Sequence, residues 1–230
     1  QLPGRELGLN HNFINTINVS RMQKIALSAL TLLLSFFHLS AQPLQDTYDV
    51  IIYGATSAGI SAAIQSSRLN KTVLLIEPSN RIGGLTTGGL GATDIGSKIA
   101  VGGISREFYE NIKKHYDDPQ NWKWQNKETY SESRTSKGEE AMWTFEPSAA
   151  LKVYKQMMHN ERIDLVYDER LLRDGGVKKK GASIESIQME SGKIFHGKVF
   201  IDATYEGDLM ASTGVSYTIG RESNKTYGET

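Results

Sequence analysis

Between Tyr48 and Glu77 two apolar runs enclose a glycine turn and a stretch of helical period, and this block constrains the fold more than any other part of the chain. Tyr48–Tyr53 (YDVIIY) is short, β-branched and apolar on both faces, as a strand buried in a parallel sheet must be. From Ser57 to Ser67, Ile60, Ala63 and Ile64 recur at helical spacing. Leu69-Asn70-Lys71 turns the chain, and Thr72–Glu77 (TVLLIE) is a second buried strand, stopped by Pro78. Strand, helix and strand within about 30 residues make a βαβ crossover. The expected class is α/β with a parallel sheet.

The turn reads Gly54-Ala55-Thr56-Ser57-Ala58-Gly59. In the dinucleotide fingerprint, glycines stand where Gly54, Thr56 and Gly59 stand here: one for the turn, one for close approach of a pyrophosphate, one for helix–strand packing. Thr56 departs from that pattern. Its Cβ crowds the approach, while its hydroxyl is able to reach a phosphate oxygen. Taken alone, the loop also suits a strand-to-helix turn in some other α/β protein. Glu77 narrows the choice, because an acid ending the second strand receives the ribose hydroxyls of adenosine. The absence of Gly-Lys-Ser/Thr after the loop excludes a Walker-type site.

Eight glycines follow between residues 83 and 103. Ser105–Tyr116 is predicted helical, with Phe108, Ile112 and Tyr116 on one face. Residues 120–140 are polar and aromatic without a period, a loop or lid. Pro147 opens a helix carrying Ala150, Leu151, Tyr154, Met157 and Met158 on one face. Ile163–Tyr167 is a predicted strand, residues 182–201 a hairpin around Ser191-Gly192, and Val199–Ile201 a last buried strand. Lys178-Lys179-Lys180 reads as a solvated turn. The expected organisation is an upstream segment over 1–21, a leader over 22–41, a nucleotide-binding part over 42–104, a helical or lid insert over 105–160, and a return to the nucleotide-binding part over 161–230.

After the second strand the chain reads Glu77-Pro78-Ser79-Asn80-Arg81-Ile82-Gly83-Gly84. Here it resembles FAD-dependent oxidoreductases of the glutathione-reductase-type fold, in which an acid, five residues and a Gly-Gly pair bring the chain back beside the FAD pyrophosphate. Leu85-Thr86-Thr87-Gly88-Gly89-Leu90-Gly91-Ala92-Thr93-Asp94-Ile95-Gly96, Trp143-Thr144-Phe145-Glu146-Pro147, Ile201-Asp202-Ala203-Thr204-Tyr205-Glu206-Gly207-Asp208-Leu209 and Gly220-Arg221-Glu222 are similar to the secreted bacterial branch of that family, some members of which are labelled xanthan lyase-like. That branch also carries Thr where Thr56 stands. The resemblance implies a Rossmann-like FAD-binding domain with a β-hairpin or meander insert, incomplete at its C-terminus, since such folds need a later segment that returns to the flavin. It implies FAD held by Gly54, Ala55, Thr56, Ser57, Ala58, Gly59, Glu77, Pro78, Arg81, Gly83, Gly84, Leu85 and Thr86. Ala203 and Thr204 would pass the pyrophosphate, and backbone near Leu171 would face adenine. It names no catalytic acid or base.

The chain has no Cys, which excludes disulfides, Cys-ligated metals and thiol catalysis. Its 26 basic and 26 acidic residues give no general attraction to nucleic acid. Met22-Gln23-Lys24, the apolar run Ile25–Leu39 and Ser40-Ala41 have the layout of an export signal cleaved after Ala41. The run is shorter than the ~20 residues a membrane span needs, so no stable anchor is expected. Without residues 1–41 the remainder carries 23 basic and 25 acidic residues. His115, His159 and His196 lack metal-ligand spacing, and no metal is expected. Trp122, Trp124, Tyr130, Trp143 and Phe145 would either stack on sugar rings or form an apolar floor. The expected protein is an exported FAD-dependent oxidoreductase, periplasmic or extracellular, acting on a small-molecule or carbohydrate substrate. A dinucleotide-binding module without turnover and a carbohydrate-active lyase or binding protein are the alternatives.

Overall fold

The computed structural model describes residues 44–131, 133–159 and 161–229. The expected leader and the segment before it lie outside the described residues. β1 (Tyr48–Tyr53), α1 (Ser57–Arg68) and β2 (Val73–Ile76) form the expected crossover. The glycine stretch contains a short helix, α2 (Gly84–Gly88), and α3 (Gly103–Asp117) and α4 (Pro147–His159) follow. β3 (Ile163–Val166), β4 (Val177–Lys180), β5 (Ser183–Gln188) and β6 (Ile194–Asp202) come next, then the short helices α5 (Asp208–Ser212) and α6 (Asn224–Tyr227).

The six strands form one sheet in the order β3-β2-β1-β6-β5-β4. β1 pairs in parallel with β2 and β6, and β2 with β3, so that Ile52 stands beside Leu75 and Ile201. β4, β5 and the first residues of β6 pair antiparallel. Both faces of β1 are buried because successive side chains point opposite ways. Val50, Ile52, Val73 and Leu75 pack with Ile60 and Ile64 of α1, Phe108 and Ile112 of α3, and Val153 and Tyr154 of α4. Ile51, Tyr53, Leu74 and Ile76 pack on the other face with Leu171, Ile187, Met189, Phe195 and Leu209.

Two local readings are corrected. Lys178-Lys179-Lys180 belongs to edge strand β4, not to a turn, and its exposed lysines deter further strand pairing. Val199 is not buried but 52% exposed. It lies inside one continuous strand that pairs with β5 at its start and with β1 beyond it. The helices of the 105–160 insert share the first core with the crossover. Arg68 of α1 fastens them further: its guanidinium donates to both carboxylate oxygens of Glu107, at 2.7 and 2.9 Å, and to Glu161 at 2.9 Å.

Candidate functional site

The start of α1 is drawn against the ends of two strands by backbone contacts that leave no space for side chains. Gly54 has φ +97°, and a Cβ there would lie 2.9 Å from the Ala203 carbonyl carbon and the Thr204 nitrogen. A Cβ at Gly59 would lie 2.0 Å from the Gly54 carbonyl oxygen. These glycines therefore do the two packing jobs that the fingerprint assigns to its first and last positions. Ala203 donates its N–H to the Tyr53 carbonyl at 2.8 Å, which carries β6 past the loop.

Thr56 does not present its hydroxyl to a ligand. The oxygen accepts the Gly59 N–H at 3.3 Å, capping α1, and donates to the Ala203 carbonyl at 2.8 Å. Its proton and a lone pair both serve the fold. Ser57 N–H and Ala58 N–H open the helix, have no intrahelical acceptor, and stand at the positive end of the helix dipole. Ala58 is exposed there.

Glu77 is 8% exposed and reaches back to the loop. One carboxylate oxygen accepts the Ala55 N–H at 2.9 Å, and the other accepts from the Ser79 N–H at 2.9 Å and the Ser79 hydroxyl at 2.7 Å. Gly83 donates its N–H to the Ala55 carbonyl at 2.7 Å, so Ala55 is gripped by both the acid and the Gly-Gly segment. Pro78, half-buried, leads into this return. Arg81 is exposed, and its guanidinium donates to the Thr87 carbonyl and so braces α2.

Gly84 and Leu85 lie beneath Tyr205. The Leu85 N–H donates to its hydroxyl at 2.8 Å, and a Cβ on Gly84 would meet that hydroxyl at 2.2 Å. Ser57 Oγ lies 2.7 Å from Thr86 Oγ1 and donates to the Gly83 carbonyl at 3.3 Å. Asp202 accepts from the Thr204 N–H and hydroxyl at 2.9 and 2.7 Å, and from the Met210 N–H at 2.8 Å, shaping the strand end into α5. The Thr204 hydroxyl in turn accepts the Gly207 N–H at 2.9 Å. Leu171 stands apart on the other face of the sheet, buried, with its N–H donated to the Tyr53 hydroxyl at 2.9 Å.

The expected residues thus fall into one group at the head of α1, with Leu171 separate and Arg81 bonded to Thr87. Ser79 and Tyr205 join the group without having been singled out. A dinucleotide fits it. The two open helix amides and the Ser57 and Thr86 hydroxyls suit a pyrophosphate. A carboxylate offers about four acceptor positions. The three protein donors on Glu77 leave room for a ribose hydroxyl. Among the described residues, no group of His, Cys, Asp or Glu is placed to hold a metal ion.

A sheet with a parallel core whose first strand-to-helix turn is built this way defines a nucleotide-binding α/β protein. Residues 49–230 match the family described as FAD dependent oxidoreductase, and the chain belongs to that family, whose cofactor is FAD. No curated protein matches. Among solved structures, the chain is similar to a bacillithiol disulfide reductase from Staphylococcus aureus, with 17% identity over 70% of this chain and 39% of that one, TM-score 0.42. A thioredoxin reductase from T. acidophilum shares 17% identity over 69% of this chain and 35% of that one, TM-score 0.38. L-proline dehydrogenase from P. horikoshii shares 12% over 77% of this chain and 58% of that one, TM-score 0.49. The chain spans less than two thirds of each of these proteins.

Proposed function

We propose that the protein is an exported FAD-dependent oxidoreductase that oxidises a small organic or carbohydrate substrate at a C–H bond next to a hydroxyl or amine. The observation that carries this reading is the clasp on Ala55. Glu77 holds its N–H, Gly83 holds its carbonyl, and the open amides of Ser57 and Ala58 follow directly. Bound there, FAD supplies the hydride acceptor that the twenty amino acids lack. The chain's own part is to hold the dinucleotide: the head of α1 faces the pyrophosphate and Glu77 the adenosine ribose.

The carbohydrate half of the proposal draws on the insert. A cavity of about 240 Å³ is lined by Trp122, Trp124 and Tyr130 together with Asn121 and Gln125. Aromatic faces beside amides suit sugar rings. Its Thr144-Phe145 wall is bonded to the glycine stretch, with Phe145 N–H donating to the Gly91 carbonyl at 2.7 Å. Trp143 is fully buried and is not among the lining residues, whereas Phe145 is.

Anaerobic mixing of the flavoprotein with candidate sugars and amino or hydroxy compounds tests the reaction. A substrate should bleach the visible flavin band and give an oxidised product. An unsaturated sugar formed with no bleaching would identify a lyase instead, and a flavin that no compound reduces would favour a binding module. Export rests on the Met22–Ala41 layout. The exported protein should begin at or near Gln42, and N-terminal sequencing that still found Ile25–Leu39 would refute it.

A further inference from the structure

The hydroxyl of Tyr205 reaches from the end of β6 to the start of α2, and we propose that it is a binding residue for the FAD diphosphate, accepting the Leu85 N–H while it donates its own proton to a phosphate oxygen. The inference rests on the reading of this loop as the FAD site. It starts from a shortage of donors for an anion. Arg81, the cation among the expected FAD residues, spends its guanidinium on Thr87. Thr56 gives its proton to the Ala203 carbonyl, and its lone pair takes the Gly59 N–H out of the donors open to a ligand. The head of α1 is left with the Ser57 and Ala58 amides and the Ser57 hydroxyl, all of them neutral.

Tyr205 stands where it adds to them. Its backbone follows directly on Ala203 and Thr204, which lie against the turn so closely that a Cβ on Gly54 would come within 2.9 Å of both. Its hydroxyl ends at the Gly-Gly return. It lies 2.8 Å from the Leu85 nitrogen, and a Cβ on Gly84 would meet it at 2.2 Å. The same short segment holds the Ser57 hydroxyl, 3.3 Å from the Gly83 carbonyl and 2.7 Å from Thr86 Oγ1. Two hydroxyls from different elements thus meet residues 83–86, Ser57 from the head of α1 and Tyr205 from the end of β6.

A phenol hydroxyl both accepts and donates. Here the Leu85 N–H takes up an accepting position, and among the described residues the proton has no acceptor. Tyr205 is 59% exposed, so that proton is spent on solvent until a ligand replaces the water. An amide donating into the oxygen polarises the O–H and makes it a better donor. A bond to a charged acceptor is in turn about twice as strong as one between neutral groups. Exchange of water for a phosphate oxygen is therefore favourable, and the absence of a side chain at Gly84 is what lets the hydroxyl sit there.

The full-length apoprotein and its Tyr205→Phe variant, which keeps the ring and loses the hydroxyl, should be titrated with FAD, ADP and adenosine. We expect FAD and ADP to weaken about tenfold, the worth of one hydrogen bond to a charged group. Adenosine, which has no phosphate, should change less than about twofold, and the apoprotein melting temperature should hold. Phosphorus NMR of bound ADP should show a phosphate resonance displaced in the variant, a signal that a hydroxyl serving only to brace α2 would not move. Unchanged FAD and ADP affinity in Tyr205→Phe overturns the inference. So does equal weakening of ADP and adenosine with the phosphate resonances in place, which would mark Tyr205 as a brace alone. A parent protein that takes up neither FAD nor ADP would instead overturn the cofactor reading beneath it.

Discussion

Glu77 illustrates how much one side chain of this site can and cannot disclose in a sequence. An acid at the end of the second strand is visible as a pattern, and the pattern leads to ribose. The structure adds that the same carboxylate fixes the Ala55 N–H and both donors of Ser79. Every partner is a donor. Glu77→Ala should therefore act twice. It should weaken FAD binding and also lower the stability of the apoprotein, each by about 1–3 kcal/mol, the cost of buried charged hydrogen bonds left unmade. Glu77→Gln should recover only part of the stability, because its amide nitrogen must face either the Ala55 N–H or the Ser79 N–H, and neither of those groups can accept a hydrogen bond. Denaturant titration of the apoproteins alongside FAD titration checks both effects. A Glu77→Ala apoprotein as stable as the parent would show that the loop does not depend on this acid. Ser79 and Tyr205 were not legible in the same way. Ser79 is one polar residue in a turn, and Tyr205 meets the Leu85 N–H across 120 residues of chain, a distance over which no periodicity carries a signal.

At the scale of elements, α1 was legible from Ile60, Ala63 and Ile64, and its end from the Leu69-Asn70-Lys71 turn, because an amphipathic period survives whatever surrounds it. The use of Thr56 was not. A threonine in place of a fingerprint glycine reads as an obstacle to the pyrophosphate, whereas it caps α1 and ties it to the end of β6. Thr56→Ser keeps the hydroxyl and should leave stability nearly unchanged. Thr56→Ala removes the cap and the bond to Ala203 together and should cost about 1–2 kcal/mol, read as a lower urea midpoint at unchanged slope. Thr56→Gly should fall between them, since glycine is tolerated at a cap but cannot bond Ala203. If alanine proved neutral, neither contact would hold the helix to the sheet. Strand β4 escaped the sequence reading because three consecutive lysines have no apolar face to show a period of two. The full length of β6 escaped it because the strand changes partners midway. Its residues obey an antiparallel pattern near Phe195 and a parallel one near Phe200.

For the whole molecule, the sequence suggests a nucleotide-binding part interrupted by a lid, and the core argues for a tighter coupling. Phe108 of α3 is buried in the same cluster as Ile52, Ile60 and Leu75, stacks on Tyr154, and meets the Phe145 ring edge-on at 5.5 Å. Side chains that share one core lose their packing together, so the insert should not melt while the crossover stays folded. The protein carries its own reporters for this. All three Trp, at positions 122, 124 and 143, lie in the insert, whereas the FAD site lies at the head of α1. Tryptophan fluorescence therefore follows the insert, and the flavin signal follows the crossover. Denaturant unfolding of the holoprotein should give coincident curves by the two probes. Phe108→Ala, which empties a ring-sized space between α3, α4 and the sheet, should shift both by the same amount, about 3–5 kcal/mol. A tryptophan transition that moved to lower denaturant while the flavin stayed bound would show the insert to be an independent lid.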